Sequence, residues 1–509
     1  MRFFVLSALA SLAWASSDYS GPLRPQVRFS PPHGFMNDPN GLFLDPKGIY
    51  HLYYQYNPTG LVAGNQHWGH ATSRDLYHWT NQRIAISPDN SDEAIFSGSA
   101  VVDSENTSGF FPDQDDGVVA IYTLDTPEAE TQHIAYSRDG GYSFTKYASN
   151  PVIDSNSTDF RDPQVVWHPE TQKWVMAVAY AKDLVIGFYT SPNLKDWTHA
   201  SNFSQKGLPG DQFECPNMVK FSVDEIDEEK HVLFISINPG APLGGSTTMY
   251  LVGHFNGTHF TAEDPFKLAD FSKDNYAAQW YSNIPEDQDP ISIAWASNWQ
   301  YTEEVPTGQL EGYRGSNSLP RVNTLQKVDG TWTVTSAPYD GLSTVKGPLI
   351  SRQSTRNGDI AVDFSKVDSN AISFDVEVSG IFGPQATGEV IFNFTSSTGE
   401  DFLDGGIHLD SGEFWINRAG THGFTTADNK AFTPSFNTTI PSFANGRFSY
   451  SGVIDRSLLE IFLNGGEQSA TTSFFPNSPL DVLTVSARSL GKGTTVKVNA
   501  WGLESGWNS

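Results

Sequence analysis

The chain of 509 residues has a single cysteine, Cys215, so no intramolecular disulfide can form and stability must come from a packed core. Positive charge is scarce: 31 Lys and Arg face 58 Asp and Glu, a formal net charge of −27. Nucleic acid and anionic membranes select clustered Lys and Arg, so both are excluded as electrostatic partners. Cysteine and histidine nowhere combine at metal-ligand spacing. His67 and His70 flank Trp68-Gly69 without a third ligand, and no metal or cofactor is expected. The apolar run Phe3–Ala15 is too short to span a bilayer, and no other run is long enough.

What the chain does have is turn formers and rings. Aromatic residues reach 13%, beside 44 glycines and 30 prolines. That mixture is too aromatic for disorder and too rich in turns for a helical bundle, so an all-β fold is expected. Arg2 precedes the Phe3–Ala15 run, which ends in the small-x-small site Ala13-Trp14-Ala15. This pattern predicts a secretory signal peptide over residues 1–16 and a secreted protein, extracellular or associated with the cell wall. Asn-x-Ser/Thr sequons at Asn106, Asn156, Asn202, Asn256, Asn393 and Asn437 then predict a glycoprotein. Cys215 is expected to be a buried structural thiol.

The chain repeats itself. Ala71-Thr-Ser-Arg-Asp-Leu-Tyr-His-Trp79 is echoed at Ala135–Phe144 and at Tyr189–Trp197, and more faintly at Val252–Phe260. Apolar or alternating runs such as Ile49–Tyr56, Val118–Leu124, Lys173–Tyr180 and His231–Ile237 lie between the echoes and read as strands. About four strands per repeat suggest propeller blades, and five units fit, giving a five-bladed β-propeller over residues 17–340. The pattern loosens from about Ala337 to Gly358 through Ser, Gly and Pro, as a boundary would. Beyond it, many closely spaced strands, with Ile372, Phe374, Val376 and Val378 alternating, predict a β-sandwich over residues 358–509.

Three repeats carry an acid near a proline: Asn37-Asp38-Pro39, Arg161-Asp162-Pro163 and Glu214-Cys215-Pro216. Each is followed within about 20 residues by an apolar strand, so all three are expected at the same place in their units. Equivalent innermost strands of a propeller converge on one channel, which would bring the three acids together. Like charges in one pocket repel and raise one another's pKa, a costly arrangement unless it is used. Glycoside hydrolysis uses it: one carboxylate attacks or activates water while another keeps a proton for the leaving oxygen. Asp-Pro and Asn-Gly are also ordinary turn dipeptides, and what favours chemistry is three motifs in register. If Glu214 faces the channel, strand alternation turns Cys215 into the blade. The C-terminal acids Asp455 and Glu460 are expected at hairpin and surface positions.

These motifs resemble glycoside hydrolase family 32, the β-fructofuranosidases. The resemblance is carried by Phe35-Met36-Asn37-Asp38-Pro39-Asn40-Gly41, Arg161-Asp162-Pro163 and Glu214-Cys215-Pro216. Further matches are Tyr54–Pro58, Trp68-Gly69-His70, Phe96–Ser99, Asn298–Tyr301 and Asp455–Gly466. It covers nearly the whole mature chain and is strongest toward the family's secreted invertase branch. It implies a propeller with a C-terminal sandwich that cleaves terminal β-fructosides with retention, taking sucrose and short fructo-oligosaccharides as small-molecule substrates. Asp38 would be the nucleophile, Glu214 the general acid/base, and Asp162 the stabiliser of the transition state, helped by Arg161. Asn37, Gln55, Trp68, Phe96 and Ser97 would shape the fructose pocket, with Tyr276 and Trp299 further round it. The chain departs from the family pattern at Phe35 and Tyr313, both commonly Trp, and at Asn217, commonly Gly or Asp. These departures leave acceptor preference open, expected as they are in the outer pocket. The alternatives kept open are a fructosyltransferase, an exo-inulinase, and a sugar-binding propeller without catalysis; a homodimer is also compatible with the sequence. An inverting arabinan hydrolase is disfavoured by Asn37–Gly41, and a dead lectin by the presence of all three acids.

Overall fold

The computed structural model describes residues 19–223, 228–382 and 386–507, so the expected signal peptide lies outside the described residues. The chain is all-β. Five antiparallel sheets come first, each opened by its own strand: Gly34–Leu44, Ala94–Val102, Phe160–His168, Phe213–Val223 and Tyr276–Trp280. These opening strands adjoin one another in chain order, and the fifth adjoins the first. The short segment Tyr313–Arg314 pairs in parallel with Gly34–Phe35, adding a fifth strand to the first sheet.

Apolar layers between successive sheets hold this ring. Phe43, Tyr53 and Trp68 of the first sheet pack on Ile95, Val118 and Tyr122 of the second. Val119 and Ile121 meet Trp174 and Met176 of the third, whose Val175 and Phe188 meet Leu233 and Ile235 of the fourth. Val232 and Tyr250 meet Leu325 and Trp332 of the fifth. The last layer joins Ile291 and Ile293 to Leu52 and Tyr54 of the first sheet, together with Val453 and Phe462 from the C-terminal half. Burial of each such side chain contributes about 1.5–3 kcal/mol, which is how a chain without disulfides is held.

Two six-stranded sheets follow, packed face to face over a core that includes Phe374, Val376, Phe392, Phe394, Phe414 and Tyr450. Ile372, Phe374, Val376 and Val378 are all buried, as their alternation requires. The first strand of this half, Lys346–Thr355, pairs with Thr495–Leu503. It therefore occupies the stretch expected to be a linker, where its solvated positions gave the sequence a loop-like composition.

The acids of the C-terminal hairpin are not on the surface as expected. Asp455 and Glu460 are fully buried against the first half. Arg28 pairs with Asp455 at 3.0 Å and Glu460 at 3.1 Å, and Arg321 pairs with Glu460 at 2.7 Å. Their cationic partners lie more than a hundred residues away, which is why the local pattern read as exposed. Among the described residues, no helix is long and apolar enough to cross a membrane.

Candidate active site

All five opening strands bulge at one level, where two residues oppose a single residue of the partner strand. The bulged pairs are Asn37-Asp38, Phe96-Ser97, Asp162-Pro163, Cys215-Pro216 and Ala277-Ala278. A bulge leaves a residue out of the ladder, so a proline without an N–H is tolerated there. Asp162, Cys215 and Ala277 carry φ of 66°, 44° and 51°. Non-glycine residues pay about 1–3 kcal/mol for such a conformation, a cost met most often at functional sites.

The acids do not hold equivalent places, which corrects the expectation. Asp38 is the second residue of its bulge, Asp162 the first of its own, and Glu214 the last paired residue before the Cys215-Pro216 bulge. They meet because neighbouring bulges face one another, each acid reaching in from a different step along its strand. Asp38 Oδ2 accepts from Ser97 Oγ at 2.8 Å, and Oδ1 from Asn37 Nδ2 at 3.1 Å. Asp162 Oδ2 accepts from the backbone N–H of Cys215 at 2.9 Å, and Asp162's own N–H donates to Thr123 Oγ1 at 3.1 Å. Glu214 Oε1 accepts from Arg161 Nη2 at 3.0 Å, and its Oε2 accepts from the Tyr276 hydroxyl.

Cys215 is buried as expected, but its side chain points the other way. The bulge and the positive φ break strand alternation and turn the thiol into the acid cluster. There Sγ lies 3.4 Å from Asp38 Oδ2 and 3.5 Å from Asp162 Oδ2. Burial and the surrounding carboxylates push its pKa well up, so the thiol keeps its proton and is a donor.

Burial dominates the electrostatics. It raises Asp38 to about 6 against the hydrogen bond from Ser97, with the charge of Glu214 adding to the rise. It raises Asp162 to about 6 against the pull of Arg161, with Asp38 adding. Glu214 is raised by the same desolvation, opposed by Arg161 and reinforced by Asp162. Arg161 is the cation of the cluster. It also pairs with Glu130 at 3.0 Å and donates to Gln212 Oε1 at 2.7 Å. One guanidinium cannot balance this many buried acids, so the site holds a proton in mildly acidic solution.

Models of known families match both halves: the N-terminal domain of the glycosyl hydrolases family 32 over residues 28–336, and that family's C-terminal region over residues 341–502. The chain belongs to glycoside hydrolase family 32. An extracellular exo-inulinase of Meyerozyma guilliermondii is 40% identical over 468 residues, covering 89% of this chain and 90% of that one. Invertase 2 of Saccharomyces cerevisiae is 38% identical over 499 residues, covering 93% of each. The structure of the β-fructofuranosidase of Schwanniomyces occidentalis complexed with fructosyl-erythritol superposes with a TM-score of 0.87. It is 34% identical and covers 97% of this chain and 100% of that one. As a member of family 32, the protein is a glycoside hydrolase.

Most residues expected around a family 32 sugar pocket do gather here. Asn37 and Ser97 hold Asp38, Arg161 and Tyr276 hold Glu214, and half-buried Phe96 sits in the second bulge. Gln55 stands opposite the first bulge and donates to Ile95 O at 3.0 Å. Half-buried Trp299 packs at 6.0 Å on Phe35. Trp68 does not belong with them. It is fully buried in the layer between the first two sheets, its indole N–H donating to Phe96 O at 3.0 Å.

The three departures also lie deeper than expected. Phe35 and Tyr313 are buried, the latter under the Arg24 guanidinium. Asn217 turns its amide to the carbonyls of Cys215 and Ala278, both at 3.2 Å, so it offers no donor to an incoming sugar. Sequence reasoning missed Gln66, which donates to Asn37 Oδ1 at 2.8 Å, and Glu130, the second acid on Arg161. Gln66 adjoins a recognised motif and could have been found. Glu130 opens an ordinary strand and gave no signal.

Of the six sequons, Asn156, Asn202, Asn256 and Asn437 are exposed, while Asn106 and Asn393 are half-buried. A cleft of about 1000 Å³ between the two halves is lined by none of the three acids.

The carboxylate values set the pH response. With Asp38 as the nucleophile, as the family resemblance implies, activity should fall as pH drops through the region near 6 where it takes up a proton. Burial raises Glu214 as well, so it should hold its proton further up the pH scale than an ordinary glutamic acid, and activity should fall where it ionises. A sucrose rate profile should peak on the acid side of neutrality; a rate still climbing past neutrality contradicts the assignment.

Proposed function

We infer that the protein is a secreted, retaining β-fructofuranosidase that hydrolyses sucrose and other terminal non-reducing β-D-fructofuranosides. The observation that carries this reading is the set of three buried acids from three strands, bridged by one thiol and one guanidinium. Asp38 attacks the anomeric carbon of the fructosyl ring while Glu214 gives its proton to the departing glucosyl oxygen. A fructosyl ester on Asp38 results. Glu214, now ionised, takes a proton from water, whose oxygen displaces Asp38 from the opposite face, the one the glucosyl group left, so the configuration is retained. Asp162 stabilises the positive charge that develops on the ring, while Arg161 helps by holding the Glu214 carboxyl in place. In this reading the two carboxyls stand about 5–5.5 Å apart, the retaining separation.

The closed ring of opening strands supports a five-bladed β-propeller over residues 17–340. The six-stranded pair supports a C-terminal β-sandwich, which we place from Lys346 rather than residue 358. Secretion is supported by the N-terminal pattern and by relatives that are themselves extracellular. A second reading, exo-inulinase, is favoured by those same 40% identical relatives. Rates on sucrose and inulin at equal concentration of fructosyl ends separate the two.

Hydrolysis and transfer share one intermediate. Water is present at about 55 M, so a competing sugar must be well positioned, and positioning can supply that advantage. Because Phe35, Asn217 and Tyr313 are buried, none of them adds an acceptor contact. Dilute sucrose should therefore give equal glucose and free fructose, with the first fructose seen by proton NMR as the β-furanose. Short fructosyl oligosaccharides should appear only in concentrated sucrose. Free fructose far below glucose in dilute sucrose would make the enzyme a transferase, and initial α-anomer would remove Asp38 as nucleophile.

A further inference from the structure

Among the described residues, the C-terminal half gives the acid cluster no side chain, yet it is bound to the strand that supports Glu214. Its edge strand, Gln468–Ser473, lies along residues 269–275, the connection between the fourth and fifth sheets. Phe271 N donates to Ser469 O at 2.9 Å, Thr471 N to Asp270 Oδ1 at 2.9 Å, and Ser473 N to Asp274 Oδ2 at 2.9 Å. Asn275 Nδ2 reaches Thr471 Oγ1 at 3.3 Å. The next residue is Tyr276, whose hydroxyl donates to Glu214 Oε2.

The knot of this seam is Asp274, which is fully buried. Arg418, from the other sheet of the C-terminal half, donates to Asp274 Oδ2 at 2.9 Å and to Ser473 O and Thr433 O, both at 2.8 Å. The Tyr301 hydroxyl donates to Asp274 Oδ1 and accepts from Arg418 Nη2 at 3.3 Å. Tyr301 lies two residues beyond Trp299. In the same turn Asn298 Nδ2 donates to Lys273 O at 3.0 Å. One carboxylate thus joins the C-terminal half, the turn carrying Trp299 and the start of the Tyr276 strand.

We propose that Arg418 is a positioning residue for the proton transfer, holding Asp274 so that the strand beyond it keeps the Tyr276 hydroxyl on Glu214. The physical reason is the cost of a buried carboxylate without its cation. Without Arg418, Asp274 would turn toward Lys273, whose Nζ now donates to Ala431 O at 2.8 Å. That change releases Ser473 or Tyr301 and loosens the strand. The charged and titratable groups facing Asp274 are Arg418, Lys273 and Tyr301. Those facing Glu214 are Arg161, Asp162, Asp38, Cys215 and Tyr276.

This inference rests on Glu214 being the acid/base, and the test separates the two claims. The pH dependence of kcat/KM on sucrose is measured for wild type, Tyr276→Phe, Arg418→Met, Tyr301→Phe and the double variant Arg418→Met/Tyr276→Phe. The Tyr276 hydrogen bond favours the ionised form of Glu214, so Y276F should move the alkaline limb up by roughly one pH unit. R418M should move it the same way with a lower kcat, and Y301F should do so more weakly. On the Y276F background, R418M should add no further shift. The proposal is overturned if folded R418M and Y301F keep the wild-type limb while Y276F moves it, or if R418M shifts the limb equally with and without Tyr276. Should R418M fail to fold, Y301F decides, since it keeps the ring and removes only the hydroxyl. If Y276F leaves the limb unmoved, the acid/base reading of Glu214 falls and the proposal falls with it.

Discussion

Replacing Asp38 by Asn should lower kcat on sucrose by roughly 10⁴-fold or more, because no other group in the cluster is placed to take over as nucleophile. Glu214→Gln should cost roughly 10²–10⁴-fold, the range of general acid–base catalysis. The two losses should differ with the leaving group. A fructosyl donor that leaves as fluoride needs no proton, so the first step of E214Q should recover on it, whereas D38N should stay inactive. Both substitutions keep the side-chain shape and remove charge from a site crowded with acid, so folding should be intact in each. Equal losses on both donors would mean that Glu214 does not protonate the leaving group.

The second large effect is on stability. Glu460 accepts from Arg28 Nε at 3.1 Å, Arg321 Nη2 at 2.7 Å and the backbone N–H of Leu319 at 2.7 Å, all buried. Glu460→Gln removes one charge from this cluster and leaves two arginines sharing Asp455 and Asp270. Breaking a buried pair in this way costs about 3–5 kcal/mol. Thermal melts should show E460Q unfolding several degrees below wild type, with kcat per folded molecule near wild type at low temperature. A large loss of kcat with an unchanged melt would tie the network to catalysis instead.

These two outcomes mark where the sequence was legible. The strand Lys173–Tyr180 lies where its apolar run puts it, because periodicity and turn residues are local signals. The three acids were found because each stands beside a proline in a repeated setting. What could not be read was geometry that departs from a regular strand. Alternation assigned Cys215 to the core, and a bulge of one extra residue reversed it. The same bulges set Glu214, Asp162 and Asp38 at three successive steps rather than one. Long-range pairing was equally hidden. Asp455 and Glu460 look like surface charges in the sequence, and only their partners, more than a hundred residues away, make them interior. Trp68 erred the opposite way, since its motif suggested a pocket where the fold needed a ring between sheets.

The central claim is that a fructosyl unit becomes esterified to Asp38. The most direct measurement uses E214Q with the fluoride donor, in which the first step proceeds and the second is slowed for want of a base. Rapid acid quenching, proteolysis and mass spectrometry should find the peptide carrying Asp38 heavier by one fructosyl unit, with the peptides of Asp162 and Glu214 unchanged. Label on either of those peptides, or fluoride released in a burst with no labelled peptide, would contradict the account.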